Sequence, residues 1–369
     1  MLPRSYRQQR ISRARGFSLI EIVVAMIIGL LSMIIIMQVL GVFQNQKQAT
    51  STGNDATTNG SIALNGLQRD LQQSGYGIST FNLLGCNVLL RTGVTVTGLA
   101  PVTIYPAGMA SPPIPAGDAN SDMLMVVYGN ASGAVINDLF TGASTALAYP
   151  VQTPAAFTAL DQVIGVPQAR PAPCNLTLAQ VSSTPASSVP VTGGVGGLFI
   201  GDTLANLGAS PKIRIYAVRN GNLTMCDYTV SKCDDTSKAS PLDSTVWVPV
   251  ASNIVSLKAQ YGRDTTPLGT KAFYLADTYD QTTPTTQCGW LRALAVRIAL
   301  VARSAQPDTK SGYVPTPVAP TWAGTANPIV LTATPMPSAN FTWQNYRYKV
   351  FQTIVPLRNI TWNGVQPGC

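Results

Sequence analysis

Residues 17–40 read FSLIEIVVAMIIGLLSMIIIMQVL, twenty-four residues with one charge among them, Glu21. At about 1.5 Å of rise per residue, a helix of this length crosses the ~30 Å of bilayer hydrocarbon. The sixteen residues before it hold Arg4, Arg7, Arg10, Arg13 and Arg15 and no acid. That basic flank keeps 1–16 cytoplasmic and sends everything after about residue 43 across the membrane. No small-x-small site follows the apolar run, so a conventional cleaved secretory signal is the poorer reading.

Composition narrows the rest. The chain has 369 residues, enough for one to three domains and a sizeable core. Charged residues make up 11% and apolar ones 46%, which excludes a highly charged disordered chain. Histidine is absent. Ser-His-Asp and Cys-His catalysis, histidine bases and Cys/His zinc fingers are therefore excluded. Of 24 basic and 16 acidic residues, the leader holds five basic ones, so the remainder carries 19 minus 16, or +3. The basic balance thus describes a leader rather than a nucleic-acid surface.

Fifteen of the sixteen acids are Asp, and the one Glu lies in the most apolar stretch. A carboxylate there costs about 2.5–3.5 kcal/mol at the bilayer centre and less towards an end, so it calls for a partner. A cut between Gly16 and Phe17 would create one, a new amino terminus. Glu21 would then sit near the first helical turn, where the macrodipole also favours a negative charge. Its own amine is awkwardly placed, whereas the amine of a staggered neighbouring subunit fits.

Gly16-Phe17-Ser18-Leu19-Ile20-Glu21, behind a basic leader and ahead of an uninterrupted apolar run, resembles the processing and N-methylation motif of type IV pilins and pseudopilins. The resemblance implies cleavage after Gly16 and methylation of Phe17 by a prepilin peptidase. It also implies a helix held first in the inner membrane and later in a filament core. Many major pilins carry a Pro in this helix; here there is none, and Gly29 is its weak helix former.

Residues 44–61, QNQKQATSTGNDATTNGS, are poor helix material. Residues 61–75, SIALNGLQRDLQQSG, recover helical spacing at Leu64, Leu67 and Leu71, flanked by Ile62 and Ala63, with Gly75 as a C-cap. The reading is one long helix over 17–74. It divides into a membrane half (17–43) and an exported amphipathic part (44–76) open to interruption over 50–61. Arg69 and Asp70 read as a solvated helix face. Residues 77–369 read as a β-rich head, so the fold class is α+β: a long pilin-like helix packed on an antiparallel sheet with long loops. Strand candidates are 122–128, 212–219, 245–250, 254–261, 291–303 and 347–355. Alternation in 291–303 predicts one buried face and one partly wet face. Residues 106–120, 150–197 and 304–340, rich in Pro, Gly, Ser and Thr, read as long loops.

Several segments resemble the PilW family: LNGLQRDLQQSGYG (64–77), KIRIYAVRNGNL (212–223), VWVPVASNIVSLKAQYGRD (246–264), VRIALVARS (296–304) and YRYKVFQTIVPLRN (346–359). Residues 78–210 carry no such likeness apart from GDTLANLG (201–208), which is loosely similar. The resemblance implies a minor pilin, not an enzyme, that primes assembly in a complex with other minor pilins and the major pilin. It implies the inner-membrane assembly platform and a tip adhesin as further partners, a place at the pilus tip, and a part in twitching motility and adhesion. No cofactor and no nucleic-acid partner is expected. A J-type pseudopilin of type II secretion is the alternative, and a membrane-anchored enzyme or binding protein is a second.

The six cysteines all fall on the exported side, where disulfides form, and allow fifteen full pairings. Cys226 and Cys233, seven apart in CDYTVSKC, are the expected bridge; the other four stay open. Without His there is no zinc ligand set. Asp118-x-Asn120-x-Asp122 begins like a calcium loop, but Met123 stands where the turn needs Gly and Gly129 where it needs Glu. Asp234–Asp235 reads as a solvated turn. GGVGG (193–197) lacks the Lys-Ser/Thr of a phosphate loop and reads as a flexible loop.

Overall fold

The protein is described from a computed structural model. It describes residues 18–369 apart from 133–136, 239, 241–242, 269–272, 309–313, 333–334 and 337–339; for 42, 44–46 and 48–52 it describes the backbone alone. The chain divides into two compact units, Met1–Thr52 and Gly53–Cys369.

One helix covers Leu19–Gln73 without a break, so residues 50–61 are helical despite their poor propensity. The reason for 56–61 is tertiary support, which routinely overrides propensity. In the second unit Ala56, Ala63, Leu67 and Leu71 are buried among residues of two sheets. Gly60 belongs to the same face: a Cβ there would fall 2.2 Å from Phe351 Cε2. A weak helix former in sequence terms is thus the residue that lets an aromatic ring lie against the helix. The helix ends before Gly75, whose φ of +84° is left-handed backbone that favours glycine. Asn359 Nδ2 donates to the carbonyls of Gln73 at 3.1 Å and Ser74 at 2.9 Å. These bonds satisfy carbonyls that the helix end leaves unpaired.

Among the described residues the head holds three sheets. The central one orders Val248–Ala251, Asn222–Asp227, Lys212–Arg219, Met123–Tyr128 and Val102–Tyr105, all antiparallel. The C-terminal sheet orders Thr278–Asp280, Ile254–Arg263, Ala293–Arg303 and Tyr348–Pro356, again antiparallel. The helix side of both sheets forms one core with Leu67 and Leu71. The far side of the central sheet buries Met125, Val127, Ile213 and Ile215 against the third sheet.

That third sheet has eight strands and is drawn largely from residues 78–210. It contradicts the reading of 150–197 as loop: Gln162–Val166, Asn175–Val181 and Val189–Thr192 are strands. Their runs mix Thr, Gln, Asn and Pro with the apolar residues, so their composition reads like that of the loops around them. The sheet also contains a parallel pair, Asn87–Leu89 beside Asn175–Thr177. Parallel strands cannot be joined by a tight turn, so such a pair is built from segments separated by a crossover, here residues far apart in sequence.

The expected wet face of Ala293–Arg303 is covered as well. Ala299 and Val301, with Val255, pack under Trp322, Ile329 and Leu331 of the 314–332 segment. Arg303 is buried there, and its guanidinium lies over the Tyr346 ring and donates to Pro335 O. The segment read as loop is irregular but serves as the lid of a core.

Candidate functional site

Two features are the candidates for function: the apolar half of the helix and the way its other half is held on the head. Gly16 and Phe17 lie outside the described residues. Glu21 does not: it stands in the first turn of the helix, with its backbone N–H on Ser18 O at 3.0 Å. Leu19–Gly41 is long and apolar enough to cross a membrane, with a mean hydropathy of 2.9. Its large apolar side chains are 45–80% exposed. Among the described residues, eighteen such side chains between Leu19 and Phe43 are exposed. Burying each would contribute about 1.5–3 kcal/mol, so tens of kcal/mol favour lipid or other apolar helices over water. Ser32, a polar residue in this run, turns its hydroxyl onto Ile28 O at 2.8 Å, so its polar group is satisfied within the helix.

Asp70, expected on a solvated face, is buried, and its carboxylate is the polar centre of the helix–sheet contact. Its Oδ2 accepts from Arg214 Nη1 at 2.8 Å and from the Tyr216 hydroxyl. Its Oδ1 accepts from the Tyr128 hydroxyl at 3.0 Å. Arg214 and Tyr216 stand on one strand and Tyr128 on the next, so three adjacent donors converge on one turn of the helix. Burial pushes both tyrosine hydroxyls above their ordinary range, and the Asp70 charge pushes the same way. For Arg214 burial pulls down, but the hydrogen bond and charge of Asp70 outweigh it and the net direction is up. All three groups therefore stay protonated donors at neutral pH. The spacing signal that could have found this contact was weak: Asp70 lies beside Leu71 on the i, i+3, i+7 face, but its partners are 58 to 146 residues away.

The six cysteines form three disulfides: Cys86–Cys174, Cys226–Cys233 and Cys288–Cys369. The second closes the turn after Asn222–Asp227. The first sits directly before the parallel strand pair, and the third ties the last residue to the short helix Gln287–Leu291.

The candidate cation loop is occupied by the protein itself. Asp118 accepts from the Asn220 and Gly221 N–H groups at 2.8 and 2.7 Å. Asp122 accepts from Ala107 N, Ala259 N, Gln281 Nε2 and Asn327 Nδ2. These carboxylates tie strands together and are spent on donors. No group of three or more His, Cys, Asp or Glu that could hold a metal occurs among the described residues. Asp235 accepts from Ser237 at an exposed turn. The GGVGG segment is pinned rather than free: Val195 N donates to the Tyr149 hydroxyl at 2.8 Å and Ser144 Oγ donates to Val195 O at 3.1 Å. A cavity of about 110 Å³ under residues 106–121 is well below the roughly 300–1,000 Å³ of ordinary ligand sites.

Comparison with known proteins matches these features at both ends. Residues 216–359 match the family described as Type IV Pilus-assembly protein W, and residues 11–37 match the Prokaryotic N-terminal methylation motif. The first match takes in Tyr216 of the Asp70 contact and the whole C-terminal sheet. The second takes in Gly16, Phe17 and Glu21. No curated protein and no solved structure matches the chain.

Proposed function

We propose that the chain is a PilW-like structural minor pilin of the type IV pilus, which prepilin peptidase cuts after Gly16 and methylates at Phe17. The mature chain then joins other minor pilins in the inner membrane, primes assembly with the platform and the major pilin, and ends at the pilus tip beside an adhesin. The exposed apolar helix Leu19–Gly41, with its carboxylate in the first turn, is the observation that carries this reading. A helix of this kind is unsatisfied alone, and either lipid or a bundle of like helices covers it. Glu21 then sets the stagger, since a charge in that environment is stable only opposite a positive group at the same depth.

The test is made on cells. Gly16→Arg leaves the leader attached, and the chain is absent from sheared filaments. Glu21→Ala is cleaved normally but enters filaments several-fold less. Immunoblotting of membranes and sheared pili, with N-terminal sequencing of the mature form, reads both. A normal-sized mature product from Gly16→Arg would refute the cleavage. Unchanged incorporation of Glu21→Ala would refute the pairing. Mature wild-type chain confined to the inner membrane would favour a secretion pseudopilus.

A further inference from the structure

A second buried polar cluster lies on the far face of the C-terminal sheet. Lys258 is 2% exposed, Asn327 8% and Asp122 0%. Lys258 comes from the strand Ile254–Arg263, Asn327 from the covering segment, and Asp122 from the residue before the strand Met123–Tyr128. Lys258 Nζ donates to Asn327 Oδ1 at 3.0 Å, and Asn327 Nδ2 donates to Asp122 Oδ2 at 2.7 Å. Asn327 is held at its backbone, where Trp322 Nε1 donates to its carbonyl at 2.7 Å. Asp122 is held by Ala107 N on one oxygen and by Ala259 N and Gln281 Nε2 on the other.

As a mere ammonium, Lys258 is poorly served. Among the described residues Asn327 Oδ1 is the one hydrogen-bond acceptor it reaches, for three N–H donors. Burial pushes its amine below the ordinary lysine range, against the opposing pull of Asp122. A desolvated lysine amine is a nucleophile, and fixed contact with a carboxamide raises its effective concentration enormously. We propose that Lys258 and Asn327 join in an intramolecular isopeptide bond, with Asp122 as the proton carrier.

The step balances without any co-reactant. The lone pair of the neutral amine attacks Asn327 Cγ, and the Nζ–Cγ bond forms. The Cγ–Nδ2 bond breaks. One amine proton passes through Asp122 Oδ2 to Nδ2, which leaves as ammonia, and Asp122 returns to its starting state. Nothing is oxidised or reduced. The product staples the segment that covers the sheet across 69 residues of chain. Unlike the three disulfides, this link would survive reduction.

The test uses the full chain, purified in detergent, reduced and denatured. Its intact mass should be about 17 Da, one ammonia, below the mass calculated from the sequence for the same N-terminal form without the link. A tryptic digest should contain a branched peptide joining Lys258 to Asn327. Lys258→Arg should restore the lost mass and give linear peptides only. Wild-type chain without the mass loss, with Asn327 in a linear peptide, overturns the proposal and needs no variant to fold. Asp122→Ala should form no link; a link formed in it at the wild-type level would overturn the role of Asp122.

Discussion

Replacing Asp70 with Ala should lower the stability of the head by about 2–4 kcal/mol, a large part of what holds a domain folded. The cost arises from what remains. Arg214, Tyr128 and Tyr216 would still point at the helix but lose their common acceptor. Breaking a buried ion pair from one side costs about 3–5 kcal/mol, and each stranded donor costs a further desolvation penalty. The Arg214 side chain is 25% exposed and has Asp227 at 3.9 Å, so water and a second acid soften the loss. Asp70→Asn keeps an acceptor for the tyrosines and should cost less than Asp70→Ala. Urea unfolding of the detergent-solubilised chain, followed by tryptophan fluorescence, reads the difference as a shift in midpoint. A loss under about 0.5 kcal/mol would mean that the contact behaves like a surface ion pair. Faster amide exchange over residues 63–73 should accompany the loss, since the helix would keep its apolar contacts at Ala56, Ala63, Leu67 and Leu71 and the Asn359 bonds at its end but lose its buried ion pair.

That contact also marks where sequence reasoning stops. The apolar run and the 64/67/71 spacing were legible because a helix writes its buried face locally, within two turns. The strand Lys212–Arg219 was legible for the same reason, with alternating residues of high strand propensity. Asp70 was not, because a buried acid differs from a solvated one only by its partners, and those stand on strands far along the chain. The third sheet failed for another reason. Strands such as Val94–Val96 and Asn137–Leu139 are three residues long, too short for a period to show. The alternation in Ala293–Arg303 was real, but which face is wet depends on the 314–332 segment that lies over it. At the N-terminus the position is reversed. The proposed roles of Gly16, Phe17 and Glu21 rest on chain chemistry, and the fold of the head adds nothing to them.

Removing the Cys86–Cys174 bridge should cost more than removing Cys226–Cys233, although only the latter was suggested by spacing. In the chain-entropy account a disulfide stabilises by restricting the unfolded chain, and the effect grows with the logarithm of the loop. Cys86–Cys174 closes a separation of 88 residues and Cys226–Cys233 one of 7. The same relation gives about 4–5 kcal/mol for the first and about 2–3 kcal/mol for the second. Native structure adds to the contrast. The first bridge precedes the parallel pair of Asn87–Leu89 and Asn175–Thr177, whose side chains add one bond, Asn87 Nδ2 to Asn175 Oδ1 at 3.0 Å. Parallel pairs are slightly weaker per residue and have no turn to hold them in register. The second bridge closes a turn next to an antiparallel strand whose six-residue register with Lys212–Arg219 persists without it. The double variant Cys86→Ala with Cys174→Ala should therefore unfold at clearly lower urea than Cys226→Ala with Cys233→Ala. Its exchange should rise first in 87–91 and 175–181. If the two double variants lose equal stability, loop length does not govern here. The unfolded head would then already hold Cys86 close to Cys174 before any bridge forms.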